Sequence, residues 1–317
     1  MRRIPGLKRV RDFHSPVSSE IVSIVDGMGK SGGFMAKNLY DVATTFDSMC
    51  GRDGCTKFLS FPAAIVATGA RGLLIDLVRE GLVDVIITTC GTLDHDIART
   101  QADYYEGSFE MDDVKLRNAG YHRLGSVLVP LQNYGPLIER MMQPLLGRIY
   151  AEGTRSITTE ELCKRIGRDM ASKSSLLYWA QKKGVPVFVP GITDGAVGSQ
   201  LWFFNESHRD FKLDLIADEK RLLDITSEAK ETGALVLGGG ISKHHLIWSN
   251  LLRGGLDWAC YITTASEFDG SLSGASIKEA VSWGKVKVKA RQATLYAEVT
   301  TVLPFILSYV LTKRKSD

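Results

Sequence analysis

Ala234-Leu-Val-Leu-Gly-Gly-Gly-Ile-Ser-Lys-His-His245 decides the fold class. An apolar run that ends in consecutive glycines and passes into a helical pattern is a buried strand feeding a tight strand-to-helix turn. A turn of this kind brings backbone amides close to a pyrophosphate in dinucleotide-binding folds, although Lys243 stands here where the third fingerprint glycine would be. An ordinary tight turn would use the same glycines.

Four further runs have the same character: Lys57–Phe61, Asp84–Thr89, Val185–Val189 and Trp258–Thr263. Each lies beside a helical pattern, so they read as parallel strands covered on both faces. Between the first two, Leu74, Leu77 and Val78 keep helical spacing across Arg71–Leu82, and Gly81 supplies a left-handed stop. Thr158 and Glu161 have capping-box spacing, and a helix ending at Gly184 feeds Val185-Pro-Val-Phe-Val189. The pattern predicts an α/β fold: a Rossmann-like wound, mostly parallel sheet with helices on both faces. Composition divides the chain into an N-terminal basic arm, residues 1–25, and a single large domain, residues 26–317.

The 317 residues are 44% hydrophobic, enough for a substantial core. A net charge of +3 from 39 basic and 36 acidic residues gives the whole chain no electrostatic reason to bind nucleic acid. Arg2, Arg3, Lys8, Arg9 and Arg11 crowd the arm, which reads as a solvated or subunit-contacting face. No apolar export-signal segment follows them. Val299–Leu311 is the most apolar stretch, but it contains Pro304 and falls short of the roughly 20 residues that span a bilayer, so it reads as a buried C-terminal helix. Five scattered cysteines read as reduced thiols of a cytoplasmic protein, and Cys50 and Cys55 lack the partners of a zinc site. No metal is expected.

Gly27-Met-Gly-Lys-Ser-Gly-Gly33 resembles the end of a phosphate-binding loop but has Ile24 where that motif requires glycine. His244 and His245 point about 100° apart on a helix, so only one can face a given site. Ser276-Ile-Lys-Glu-Ala-Val-Ser-Trp-Gly-Lys285 has capping-box spacing at Ser276 and Glu279 and a terminator in Gly284. It predicts a two-turn helix that delivers Lys285 just beyond its end. Taken by themselves, these residues also fit a structural account, with Glu279 capping, Trp283 packing and Lys285 facing the helix dipole.

Glu267-Phe-Asp-Gly-Ser-Leu-Ser-Gly274 followed by Glu279-Ala-Val-Ser-Trp-Gly-Lys285 resembles the signature of deoxyhypusine synthases, and Gly238–His245 matches it upstream. The likeness continues through Ile87–Gly91, Gly125–Pro130, Tyr178–Gln181 and Thr193–Gly195, covering about residues 27–312, and Asp94–Asp96 and Tyr105–Phe109 look closest to archaeal members. The resemblance implies an NAD-dependent aminobutyl transferase. Such an enzyme oxidises spermidine, holds the 4-aminobutyl fragment as a lysine imine, and passes it to a lysine of translation initiation factor 5A. It also implies a homotetramer with sites between subunits.

By motif position the imine-forming lysine is Lys285, and His244 handles protons. Cofactor positions fall on Ala63, Ala67, Thr89, Cys90, Gly91, Asp194, Gly239, Thr264, Ala265, Glu298 and Val299. Amine positions fall on Asp94, His95, Ser199, His244, Gly270, Ser271, Leu272, Glu279 and Trp283. A lysine exchanges imines only as a free amine, which burial beside an indole would serve.

The chain departs from eukaryotic relatives at His95, Ser199 and Leu272, where those carry acids. A polycation needs such partners, each charge-assisted hydrogen bond contributing about 1.5–3 kcal/mol. Asp94, Asp96, Asp269 and Glu279 are the acids left to compensate. Pro62–Thr68 lacks the Ser and Asn side chains common near the cofactor, and Glu298 replaces an aspartate. The departures leave two alternatives: the same chemistry with another amine or acceptor, such as agmatine or a homospermidine-forming reaction, and a non-catalytic relative that binds NAD.

Overall fold

The computed structural model describes residues 6–316. Six strands form the main sheet: β1 (Cys55–Ser60), β2 (Val85–Ile87), β3 (Val187–Phe188), β4 (Glu231–Leu237), β5 (Leu256–Thr263) and β6 (Val286–Tyr296). Their spatial order is β6-β5-β4-β1-β2-β3, with every neighbouring pair parallel. The chain winds outward from β1 through β2 and β3, returns to the other side of β1 as β4, and winds outward again. Loops leaving the C-terminal ends of β1 and β4 therefore diverge to opposite faces and leave a crevice between them.

Alternate residues of each strand enter different cores. Leu59, Ile86, Leu235 and Ile262 join the larger cluster with Phe46 of helix Phe34–Cys50, Leu74 of helix Arg71–Arg79 and Leu307 of helix Val299–Ser316. Phe58, Val85, Val236 and Tyr261 join the second with Leu246 of helix Gly240–Ser249 and Leu222 of helix Leu215–Glu228. Covering on both faces is why these strands read as unbroken apolar runs.

All five expected strands are in the sheet. The sixth, β6, is an edge strand whose exposed Val288 and charged Lys287, Lys289 and Arg291 hid its period. Gly81 ends the helix from Arg71 as expected, with φ +72° and Leu82 N–H donating to the Leu77 carbonyl at 2.9 Å. Thr158 caps helix Thr159–Met170 through its side chain, and a separate helix, Leu176–Lys183, ends at Gly184.

Arg2 and Arg3 lie outside the described residues. Residues 8–13 run as an extended strap on the chain's own body: Glu106 N–H donates to the Lys8 carbonyl, Val10 N–H to Tyr104, and Phe13 N–H to Gly69. Beneath the strap, Asp12 pairs with Arg71 at 2.6 Å and with Arg99 at 2.9 Å. Gly72 has to be glycine because a Cβ there would overlap the Phe13 carbonyl. Helix Ser19–Lys30 runs through residue 25 and contains Gly27 and Gly29, so the 27–33 glycines form no phosphate-cradling loop after a strand. Among the described residues, no helix is long and apolar enough to cross a membrane.

Candidate active site

The crevice predicted by the winding is present as a cavity of about 360 Å³. Pro62, Ala64, Ile65 and Thr68 line it from beyond β1, Gly238 and Gly239 from beyond β4, and Thr264 and Ala265 from beyond β5. Glu298 and Val299 close it from beyond β6. A Cβ on Gly239 would lie 2.5 Å from Ser273 Cα, so only glycine lets the opposite wall approach. The Glu298 carboxylate accepts from the amides of Thr300 and Thr301, each at 3.0 Å. Burial acts to raise its pKa, but the bonds from Thr300 and Thr301 outweigh that and hold it below the usual value. It therefore remains a charged acceptor beside the cleft. A narrow glycine-walled crevice at the switch point with one fixed carboxylate fits a dinucleotide and its ribose hydroxyls.

A second cavity of about 300 Å³ is lined by helix Gly240–Ser249, the loop from Leu272, and Lys285. Lys285 is held by local chain geometry. The helix before it has one turn, Glu279–Ser282, rather than two; the Ser276 carbonyl, not its side chain, accepts from Glu279 N–H, so Glu279 is free to line the cavity. Gly284, at φ +72°, terminates that turn, and Lys285 N–H donates to Ala280 at 2.9 Å. The Lys285 carbonyl then accepts from Leu256 N–H at 3.0 Å, which fixes the lysine to β5.

The side chain of Lys285 is buried, at 7% exposure, and its Nζ lies 3.3 Å from His244 Nε2. The indoles of Trp283 and Trp248 flank it, with centroids 5.1 and 5.5 Å from Nζ. Burial, then the neighbouring Lys285 and His245, lower the His244 pKa, so its imidazole is neutral at pH 7 and able to accept a proton. His245 turns away to Glu219 at 3.1 Å. A buried lysine amine touching a neutral imidazole is the arrangement of an activated nucleophile and its base.

The two cavities share one wall. Leu272 and Ala275 face the lysine, while Ser273 between them faces the crevice. A sequence model of the family "Deoxyhypusine synthase" matches residues 23–310. The chain belongs to the deoxyhypusine synthase family. The "Probable deoxyhypusine synthase" of Thermoplasma acidophilum is 50% identical over 299 residues, covering 94% of this chain and 96% of that protein. The protein of the same name from Ignicoccus hospitalis is 44% identical over 309 residues, 96% of each. A solved structure from Entamoeba histolytica, named for the same family, superposes with TM-score 0.64 at 22% identity, covering 90% of this chain and 91% of that one. It speaks for the fold alone. Deoxyhypusine synthases are transferases, so the chain is an enzyme of that class.

The remaining candidates fall into three groups. Gly239, Thr264, Ala265, Glu298 and Val299 meet in the crevice, and His244, Leu272, Glu279, Trp283 and Lys285 meet in the lysine cavity. Ala63 and Ala67 belong to the turn Ala63–Ala67, but it is their neighbours Ala64 and Ile65 that line the crevice. Thr89, Cys90, Gly91 and Asp194 follow β2 and β3 and line neither cavity; Cys90 is buried against Gly195. Gly270 and Ser271 form an exposed turn in which Ser271 N–H donates to Asp269 at 2.7 Å. His95 is buried with Nδ1 3.0 Å from the Tyr104 hydroxyl, and burial followed by Arg99 pushes its pKa down to about 4. Ser199 donates to the Gly195 carbonyl.

Asp94 is fully buried and caps helix Ala196–Ser207, accepting from Ala196 N–H at 2.9 Å, Val197 N–H at 2.8 Å and the Tyr134 hydroxyl at 2.8 Å. Asp94→Ala leaves one buried and two part-buried donors unmet and is expected to lower stability by about 3 kcal/mol in chemical denaturation. A loss below about 0.5 kcal/mol would contradict that role. Sequence reasoning did not assign Trp248, Lys243 or Ser273 to the site. Trp248 was accessible to it, since four residues after His244 is the same helix face.

Proposed function

We propose that the protein is an NAD-dependent deoxyhypusine synthase that transfers the 4-aminobutyl group of spermidine, through an imine on Lys285, to a specific lysine of translation initiation factor 5A. The observation that carries this reading is the 3.3 Å contact between buried Lys285 Nζ and His244 Nε2, in a cavity sharing a wall with the switch-point crevice. The crevice would hold NAD, with Gly239 admitting the close wall and Glu298 accepting ribose hydroxyls. When bound, NAD takes a hydride from the donor amine and returns it to the product imine.

Glu279 pairs with a donor ammonium while the flanking indoles wall its aliphatic chain. Once the donor carbon is an imine, Lys285 Nζ adds to it and the carbon–nitrogen bond to diaminopropane breaks. His244 accepts the proton that Lys285 releases and delivers it to the departing amine. The acceptor lysine then adds to the Lys285 imine, and Lys285 leaves as a free amine. Trp248 and Trp283, which line the cavity, are 49% and 64% exposed. Their exposure supports a homotetramer in which another copy covers the site and keeps water from the imine. The protein is proposed to act in the cytoplasm.

A second reading has its own observation: among the residues lining the lysine cavity, Glu279 is the one carboxylate, and Leu272 is among its apolar neighbours in the lining. That favours a donor with fewer ammonium groups, processed by the same chemistry. Borohydride reduction during incubation with NAD and spermidine is expected to leave an aminobutyl adduct on Lys285, detected by peptide mass spectrometry. Turnover without that adduct would rule out the lysine imine, and adduct formation with another amine in preference to spermidine would favour the second reading.

A further inference from the structure

Lys243 is 2% exposed and has no part in the chemistry above. Its Nζ donates to the Leu272 carbonyl at 2.9 Å and the Ala275 carbonyl at 2.6 Å, and it lies 4.0 Å from the centroid of the Tyr261 ring. The Tyr261 hydroxyl donates to the carbonyl of Ser273, between those two. Three carbonyls of one short loop are thereby held from beneath, by one residue of helix Gly240–Ser249 and one of β5. That loop is the wall between the cavities, with Ser273 facing the crevice and Leu272 and Ala275 facing Lys285.

The wall's remaining bonds are local or long. Gly274 N–H and Ala275 N–H donate to the Ser271 carbonyl, both at 3.1 Å, Gly274 N–H also reaches Ser271 Oγ at 3.4 Å, and Thr263 Oγ1 lies 3.5 Å from the Ser273 carbonyl, while the Ser266 carbonyl packs against Gly274 and Gly239 packs against Ser273. Ser271 is itself exposed. A buried lysine is costly unless its donors are used, and burial pushes this one down to about 8 against the opposing pull of Glu279. A methionine of similar length would fill the space without that cost. The cation is therefore explained by what it holds.

We propose that Lys243, together with Tyr261, is a positioning residue that fixes the wall between the dinucleotide crevice and the lysine cavity, and so sets the path over which hydride passes between donor amine and cofactor. This rests on the function proposed above. Because the wall is common to both cavities, its displacement alters their separation.

Two measurements on full-length Lys243→Met test it. Amide hydrogen exchange over residues 271–276 is expected to rise at least about tenfold, because the wall loses two of its anchors. Unchanged exchange overturns the proposal, whatever the activity. In the second, NADH fluorescence on adding spermidine without acceptor is expected to form at least about tenfold more slowly, with KM for the amine changed less than about threefold, and with a larger isotope effect for deuterated donor. An unchanged rate and isotope effect would overturn it, as would a loss confined to KM. Should Lys243→Met fail to fold, Tyr261→Phe, which removes one hydroxyl, is judged by the same readouts. A wild-type protein giving no NADH signal would count against the function, leaving exchange to decide the wall.

Discussion

Lys285→Ala is expected to lower aminobutyl transfer at least about 10⁴-fold while leaving the fold intact, the scale seen when a covalent nucleophile is removed. The side chain is buried at the floor of the cavity, and its backbone bonds to Ala280 and Leu256 do not depend on it. Lys285→Arg is the sharper variant. It keeps a cation between Trp248 and Trp283, so an electrostatic role would survive it, whereas imine formation would not. Equal inactivity of both variants, with circular dichroism and NAD binding like wild type, is the expected result; substantial transfer by the arginine variant would exclude a covalent lysine. In wild type the lowered His244 pKa is expected to place the acid limb of kcat/KM below histidine's ordinary 6.5. Under the proposed mechanism, transfer is expected above that limb and lost as pH falls through it, because protonated His244 could no longer accept the proton of Lys285.

The sheet was legible in sequence wherever burial was complete. Strands β1, β2, β3, β4 and β5 carry apolar residues on both faces, so each stood out as a run. β6 did not, because one edge is unpaired and Val288, Lys287 and Lys289 are set by solvent rather than by core. The stop at Gly284 was also readable, while the length of the helix before it was not. Ser276 lines the lysine cavity and its carbonyl takes the bond that capping spacing reserves for a side chain. Local pattern and site geometry conflict there, and the site prevails.

Legibility in the site itself followed sequence distance. His244 and Lys285, which the fold brings to 3.3 Å of each other, were legible as candidates because each sits in a specific local motif. The work of Asp94, His95 and Asp96 is set by partners far along the chain. Asp96 accepts from Ser175 Oγ and the amides of Leu176 and Leu177, about eighty residues away, and pairs with Arg71. No local spacing encodes a contact that only the folded sheet creates. Lys243 shows the same limit from the other side: in the fingerprint it registers as a missing glycine, and in three dimensions it anchors a wall.

Gly239→Ala is expected to weaken NAD binding at least about 100-fold, close to 3 kcal/mol, measured by titration of cofactor fluorescence. Backbone strain is not the cause, since Gly239 has φ −148°, which alanine adopts. The conflict is with the opposite wall: the new Cβ would stand 2.5 Å from Ser273 Cα and 2.7 Å from its Cβ and Oγ. The Ser273 carbonyl is tied to Tyr261 and its neighbours to Lys243, so the wall resists retreat and the crevice must distort. Gly240→Ala next to it is the matched control. Gly240 has φ +76°, and a Cβ added to it would meet nothing within 4 Å, so alanine there costs about 1–2 kcal/mol of backbone strain and leaves the crevice lining in place. Its variant should unfold at lower denaturant yet bind NAD within about threefold of wild type. If instead Gly240→Ala abolishes binding and Gly239→Ala does not, the dinucleotide does not lie in the crevice between β1 and β4, because contact with Ser273 would then be irrelevant to its affinity.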